Sequence, residues 1–161
     1  MEKTKARSIV VLCNIRSTYN VGAIFRTADA VGVSEVWLVG YTPTPIDRFG
    51  RVRADIKKAS LGAEVTVPWR HIETIEECVS LLREQGVSVV AIEQANRAID
   101  YKEFTVEGDV ACIFGNEIDG VPTSVVDAAD TCLHIPMHGT KESLNVSVSA
   151  GIILFRLFDT N

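Results

Sequence analysis

The 161-residue chain contains no GxGxxG and no GxxxxGK(S/T), so neither the dinucleotide fingerprint nor the P-loop phosphate cradle is open to it. It also lacks a CxxC pair: Cys13, Cys78, Cys112 and Cys132 lie far apart, three of them (Cys13, Cys112 and Cys132) in apolar runs that read as buried strands. Buried free thiols are therefore expected, with no disulfide framework and no zinc site. No His/Asp cluster has metal-ligand spacing; His134 reads as a strand residue and His138 as a loop residue, and no metal is expected. No apolar run reaches the roughly 20 residues that cross a bilayer. The basic head "MEKTKARSIVVLC" lacks a small-residue cleavage site, so a cytoplasmic protein without a membrane partner is expected.

Positive charge is also in short supply overall, at a net charge of −5, which excludes a uniformly basic nucleic-acid binder. Its distribution is uneven. Residues 1–60 hold ten Lys/Arg against five Asp/Glu, whereas residues 61–161 hold six against sixteen. A segregated cationic segment can bind phosphate electrostatically even in an acidic protein.

What is present is an alternation of strand and helix patterns. "SIVVLC" (8–13) is an apolar β-branched run fit for a buried parallel strand, and Val21, Ile24, Phe25, Ala28 and Val31 then fall on one helical face. "EVWLVG" (35–40) reverts to strand. A Pro/Gly-punctuated loop follows, with a short helix at "ADIKKAS". "VTVPW" reads as a strand, "IETIEECVSLLREQG" as an amphipathic helix ended by Gly86, and "VSVVAIEQ", "DVACIFGNE" and "DTCLHIPM" as further strands. "VPTSVVDAA" reads as a short helix with Pro122 near its first turn. The expectation is one α/β domain over 1–161, a mostly parallel sheet with helices on both faces. Ligands bind such sheets outside the carboxyl ends of the strands. Those ends carry "NIRSTYN", "IEQAN", "FGNEIDG" and "IPMHGTKESLN".

In "NIRSTYNVGAIFR", Asn20 is a candidate helix N-cap, Gly22 admits another backbone closely, and Arg26 lies off the apolar stripe, where its guanidinium suits phosphate. A surface ion pair between Arg26 and Asp29 is the plainer alternative. In "FGNEIDG", Gly115 would let a flat ligand pack on the backbone, and Glu117 would bind a polar substrate or fix Arg26. "IPMHGTKESLN" supplies a chain reversal with free backbone groups, ahead of a helix that is apolar almost all round.

These three segments, in this order across 20–150, resemble the SpoU/TrmH family of RNA 2′-O-ribose methyltransferases in the SPOUT superfamily. The matching motifs are "NVGAIFR" with Asn20 and Arg26, "FGNEIDG" at 114–120, and "IPM" at 135–137 followed by "SLNVS" at 143–147. "KKASLGAE" is similar to another recurrent family segment. The resemblance implies a C-terminal deep trefoil knot that holds S-adenosyl-L-methionine bent, its adenine bound largely by backbone groups. It further implies that Gly115, Ile135, Met137 and Leu144 line the adenosine pocket, with Ile92 and Glu93 closing it and Ser143 and Asn145 facing cofactor and substrate.

The implied reaction is methyl transfer to a ribose 2′-hydroxyl of RNA, with tRNA expected first and rRNA as the alternative. An arginine that stays protonated at neutral pH is better read as stabilising the forming alkoxide and binding phosphate than as a base. That role falls to Arg26, with Asn20, Glu117, Ser143 and Asn145 orienting it and the ribose. Arg16, Arg48, Arg51, Arg53, Lys57 and Lys58 are the candidate phosphate contacts. A homodimer is implied, with Arg26 serving the partner's cofactor and part of Val146–Phe158 at the interface. No appended RNA-binding domain is apparent, so either the core alone or an accessory protein recognises the RNA. The alternatives are a catalytically idle knotted module that binds RNA or cofactor, and a base methyltransferase of the same superfamily.

Overall fold

The computed structural model describes residues 4–159. Seven strands form one sheet in the order β3-β2-β1-β6-β4-β7-β5, and every pairing in it is parallel. The strands are β1 (Ser8–Cys13), β2 (Glu35–Val39), β3 (Trp69–Ile72), β4 (Ser88–Ile92), β5 (Ile99–Asp100), β6 (Val110–Phe114) and β7 (Thr131–His134). Between and after them lie α1 (Thr18–Val31), α2 (Ala54–Ser60), α3 (Ala63–Thr66), α4 (Ile75–Glu84), α5 (Thr123–Ala128) and α6 (Val146–Phe158).

The strands are apolar on both sides because both faces are covered, as a parallel sheet requires. Side chains alternate between faces with period two. Val10, Leu12, Val36, Leu38, Cys112 and Phe114 pack with α1, α2 and α6. Ile9, Val11, Trp37, Val39, Ala111 and Ile113 pack with α4 and α5 on the other side. Burying each of the larger aliphatic chains contributes about 1.5–3 kcal/mol. All four cysteines are free and buried. Burial pushes the Cys78 and Cys112 thiols up to about 12 and, with the charge of Glu76, Cys13 up to about 11.

The apolar face read for the first helix is in place: Val21, Ile24, Phe25 and Ala28 are buried. Ser17 caps that helix by accepting from Asn20 N at 3.2 Å, so Asn20 lies within the first turn and is not the N-cap the sequence suggested. Its backbone N–H is one of the first-turn donors that the cap satisfies. Gly22 is packed against α2: a Cβ there would lie 2.6 Å from Ala59 Cβ and 2.7 Å from the Ile56 carbonyl oxygen. Thr74 caps α4 through Glu77 N, and Gly86, at φ 72°, lets the chain leave that helix and turn into β4.

"VTVPW" does not form a strand. Val65 and Thr66 belong to the short helix α3, and the pairing begins only at Trp69. Val67 and Trp69 still bury apolar surface there, which is the signal the alternation carried, but Pro68 has no N–H to give a ladder. The two-residue strand β5 was not expected at all; it is too short to leave a periodic signature. Among the described residues, no helix is long and apolar enough to cross a membrane.

Candidate functional site

Four neighbouring strands, β1, β6, β4 and β7, run parallel and so end at the same edge of the sheet. The loops leaving them are the four singled out in the sequence. Three of them, those after β4, β6 and β7, wall a cleft of about 410 Å³, within the range of small-ligand sites, and the loop after β1 does not line it. Ile92 and Glu93 come from the end of β4, Gly115 and Glu117 from the turn after β6. Ile135, Met137, Ser143, Leu144 and Asn145 come from the loop between β7 and α6, and His134 adds the last residue of β7. Asn20 and Arg26 do not line it.

The turn after β6 is built around Gly115 and Gly120. A Cβ on Gly115 would stand 2.2 Å from Gly120 C and 2.2 Å from Val121 N, so glycine is required for the turn to close on itself. That is a second reason for a bare backbone at Gly115, beside its place on the wall of the cleft. Gly120 has φ 69°, and a Cβ there would meet the Glu93 carboxylate at 2.1 Å. Glu93 in turn accepts from Val121 N at 2.8 Å and Gln94 N at 2.9 Å, tying the β4 exit to the β6 turn. Gln94 Nε2 donates to the Ile135 carbonyl at 2.7 Å and ties in the third loop.

Glu117 is the acceptor at the centre of the other wall. Its carboxylate takes Arg16 N at 3.0 Å, Ser17 N at 3.1 Å and Asn20 Nδ2 at 3.1 Å. Burial pushes this carboxyl up, but the hydrogen bonds from Arg16, Ser17 and Asn20 outweigh it and hold its pKa below the ordinary glutamate value. Asn20 is buried, and its Oδ1 accepts from Asn145 Nδ2 at 3.4 Å. Asn145 is the N-cap of α6, its Oδ1 accepting from Ser147 N at 2.9 Å. Glu117, Asn20 and Asn145 thus form one chain of hydrogen bonds across all three sequence motifs.

Arg26 is exposed on α1, and among the described residues its guanidinium makes no ion pair or hydrogen bond. Glu117 therefore does not fix Arg26 directly, and Asp29 instead accepts from Thr66 Oγ1. Glu117 acts on α1 at its start, two turns before the arginine. Among the described residues, no backbone-to-backbone hydrogen bond joins residues 136–144 to the rest of the chain, so that loop presents unpaired N–H and C=O groups beside the cleft.

Of the expected cations, Arg48 and Arg51 lie 4.8 and 5.1 Å from the centroid of the exposed Phe49 ring. Arg51 is paired with Asp47 at 2.9 Å, while Lys57 and Lys58 are exposed on α2. Arg53 is half-buried, and its Nε lacks a partner. Arg16 is exposed beside the β6 turn.

Asn116 was overlooked in the sequence. It is buried, donates to the Asn14 carbonyl at 2.9 Å and the Tyr41 hydroxyl at 2.8 Å, and accepts from Ile118 N and Asp119 N. Its only signal was its place between the strand end and Glu117.

Known proteins share this chain's sequence and architecture. A sequence model of the SpoU rRNA methylase family matches residues 7–155. The chain is 33% identical to a 23S rRNA (guanosine-2′-O-)-methyltransferase of Neisseria meningitidis serogroup B, over 91% of this chain and 56% of that protein. It is 34% identical to a tRNA (guanosine(18)-2′-O)-methyltransferase of Aquifex aeolicus, over 96% of this chain and 70% of the other. The AdoMet-bound rRNA methyltransferase of Sinorhizobium meliloti superposes with a TM-score of 0.86 at 31% identity, covering 95% of this chain and 56% of that one. The chain thus spans between about half and about two-thirds of the length of these proteins. With three motifs joined by one chain of hydrogen bonds beside the cleft and a match over almost its whole length, the chain belongs to the SpoU rRNA methylase family.

Proposed function

We propose that the chain is an S-adenosylmethionine-dependent RNA methyltransferase that methylates a ribose 2′-hydroxyl, of tRNA first and of rRNA as the alternative. The observation that carries this reading is the union of Glu117, Asn20 and Asn145 in one network beside a cleft lined by all eight expected cofactor residues. The residues present fit the cofactor. Ile135, Met137 and Leu144 offer apolar surface to a flat heteroaromatic ring, and the unpaired backbone groups of 136–144 offer donors and acceptors to its edge. Glu93, Glu117 and Asp119 put carboxylates on a cleft that is to take a cationic sulfonium and an ammonium group.

Bound there, S-adenosylmethionine supplies an electrophilic methyl on a cationic sulfur: the ribose oxygen gains the methyl, the sulfur keeps the electron pair of the broken bond, and the hydroxyl proton leaves. The chain's own residues prepare the oxygen. Arg26 binds the adjoining phosphate and stabilises the developing alkoxide, as a preorganised guanidinium can in a desolvated site, and the phosphate or water takes the proton. Glu117 positions Asn20 and the start of α1, and the rigidity of the helix transmits that placement to Arg26. Ser143 and Asn145 orient the ribose.

Arg26 does not line the cleft of its own chain. The reading that follows is a homodimer in which the Arg26 of one protomer serves the cleft of its partner. Exposed Tyr19 on α1 and Val148 and Phe155 on α6 supply apolar surface for that interface. The knot belongs to the same reading: β7 inserts between β4 and β5, so the β4–β5 connection crosses it, held by Gln94 on Ile135. The domain extends over 1–161 and works in the cytoplasm. Phe49 with Arg48 and Arg51, and Lys57 and Lys58, form the outer RNA contact. An accessory protein is needed only if the core fails to bind RNA alone.

The test is incubation with labelled S-adenosylmethionine and fractionated tRNA and rRNA, beside Arg26→Ala, followed by digestion to nucleosides. A 2′-O-methylnucleoside that disappears in the variant is expected. A base-methylated product, or cofactor binding with no transfer to any fraction, overturns the reading.

A further inference from the structure

On the far side of the β6 turn lies a second, more open cleft of about 610 Å³, lined by Arg16, Tyr41, Pro43, Asn116 and Asp119. It shares Asn116 and Asp119 with the first cleft, so the two are separated by one turn of chain. Tyr41 is 59% exposed, yet it is held at both ends. Its N–H donates to Asn14 Oδ1 at 3.1 Å, and its hydroxyl accepts from Asn116 Nδ2 at 2.8 Å. Beside it, buried Thr42 takes Ile15 N at 3.0 Å and donates to the Leu12 carbonyl at 2.8 Å. The ring is thus an exposed aromatic face with little freedom left to lose.

Arg16 is held in a similar way. Its backbone N–H is on the Glu117 carboxylate, while among the described residues its guanidinium makes no ion pair or hydrogen bond. Asp119 adds a carboxylate to the same wall. A fixed aromatic face, a free planar cation and an acceptor are the three elements with which proteins take an unstacked nucleotide: ring on base, guanidinium on phosphate, carboxylate on a base N–H.

We propose that this cleft is a nucleobase subsite, in which Tyr41 stacks on an unpaired base of the RNA, Arg16 holds its phosphate and Asp119 accepts from its edge. The inference rests on the reading of the chain as an RNA methyltransferase and adds to it where the nucleotide beside the reacting ribose is held. Asn116 is the positioning residue: with one side chain it fixes the Tyr41 ring and, through Ile118 N and Asp119 N, the turn that separates the clefts.

The full chain is to be titrated against a short single-stranded oligoribonucleotide carrying 2-aminopurine, whose fluorescence falls on stacking, and against bulk tRNA. S-adenosylmethionine affinity is measured by calorimetry on every variant as a check on folding. Wild type should quench the probe. Tyr41→Ala should abolish quenching and weaken RNA binding by on the order of tenfold or more. Tyr41→Phe, which keeps the face and loses only the tether, should retain quenching, and Arg16→Gln should lower the salt slope by about one. Cofactor affinity should stay unchanged throughout, because Tyr41 and Arg16 do not line the first cleft. The subsite is overturned if wild type does not quench, if Tyr41→Ala binds RNA as wild type does, or if Tyr41→Phe fails as badly as Tyr41→Ala, which marks a brace. Failure of the enzymatic reading is separate: it shows as wild type that quenches the probe and binds RNA but transfers no methyl.

Discussion

The turn after β6 and the outer part of the loop after β2 both follow the carboxyl end of a parallel strand, yet they are held in opposite ways. Residues 114–120 are tied to distant elements: Asn116 to the Asn14 carbonyl and Tyr41, Glu117 to Arg16, Ser17 and Asn20. The segment 45–53 is tied mainly to itself. Asp47 accepts from Phe49 N, Arg51 N and Arg51 Nε, Arg53 N donates to the Pro45 carbonyl, and Ile46 bridges Val52. A turn fixed to the core can hold a small ligand in one geometry, which chemistry at a single atom demands. A loop rigid only within itself, with Phe49 67% exposed between two arginines, suits a long polyanion, where affinity depends on charge more than on placement.

The largest effect is expected from breaking the core-tied turn. Gly115→Ala drives a Cβ into the backbone of Gly120 and Val121, which cannot move aside without opening the turn. It should cost about 1–3 kcal/mol in urea unfolding and weaken cofactor binding on the order of a hundredfold, read by calorimetry. Glu117→Gln is next. It keeps the shape but removes the charge that three donors share, and losing charged hydrogen bonds worth about 1.5–3 kcal/mol should lower turnover roughly tenfold or more and weaken cofactor binding with it. In the self-tied loop the outcome should invert. Replacing Arg48 and Arg51 there, together with Lys57 and Lys58 on the α2 helix that follows, by Gln should leave cofactor binding intact and flatten the salt dependence of RNA binding by about 0.7–0.9 per lost phosphate contact. An unchanged slope would remove this loop from the RNA surface.

The same contrast explains what could be read in the sequence. Strands β1, β4, β6 and β7 were legible because a sheet covered on both faces needs continuous apolar runs, and their order in the chain placed four loops together. Glu117, Asn20 and Asn145 were legible as motif members, but not as partners of one another, since their hydrogen bonds span 97 and 125 residues. The same distance hid Asn116, whose partners Asn14 and Tyr41 lie in other loops. Gly115 was noticed as a strand-end glycine, but its packing role was not legible, because a missing side chain gives no hint of which atom would have met it. Asn20 was mistaken for a cap because Ser17, three residues earlier, reads equally well as one.

A smaller effect separates the two regions by pH. Glu117 and Asp47 each anchor their turn, and each has its pKa held down in the folded chain. For Asp47 the main cause is the Arg51 N–H; for Glu117, burial works upward against the donors that prevail. A carboxyl with a depressed folded pKa contributes stability that is fully present above its unfolded value and is lost as pH falls through the folded one. The unfolded values are 4.5 for Glu117 and 3.8 for Asp47, so acidification should loosen the core-tied turn first. In a thermal melt series from about pH 6 downward, wild type should lose Tm more steeply than Glu117→Gln once pH passes below 4.5, whereas Asp47→Asn should follow wild type until below 3.8. Cofactor affinity should fall with the first transition and not with the second, since only Glu117 lines the cleft. If Glu117→Gln and wild type run parallel through this range, the carboxylate is not what holds the turn to α1, and the placement of Arg26 must come from the packing of Gly22 on α2 instead.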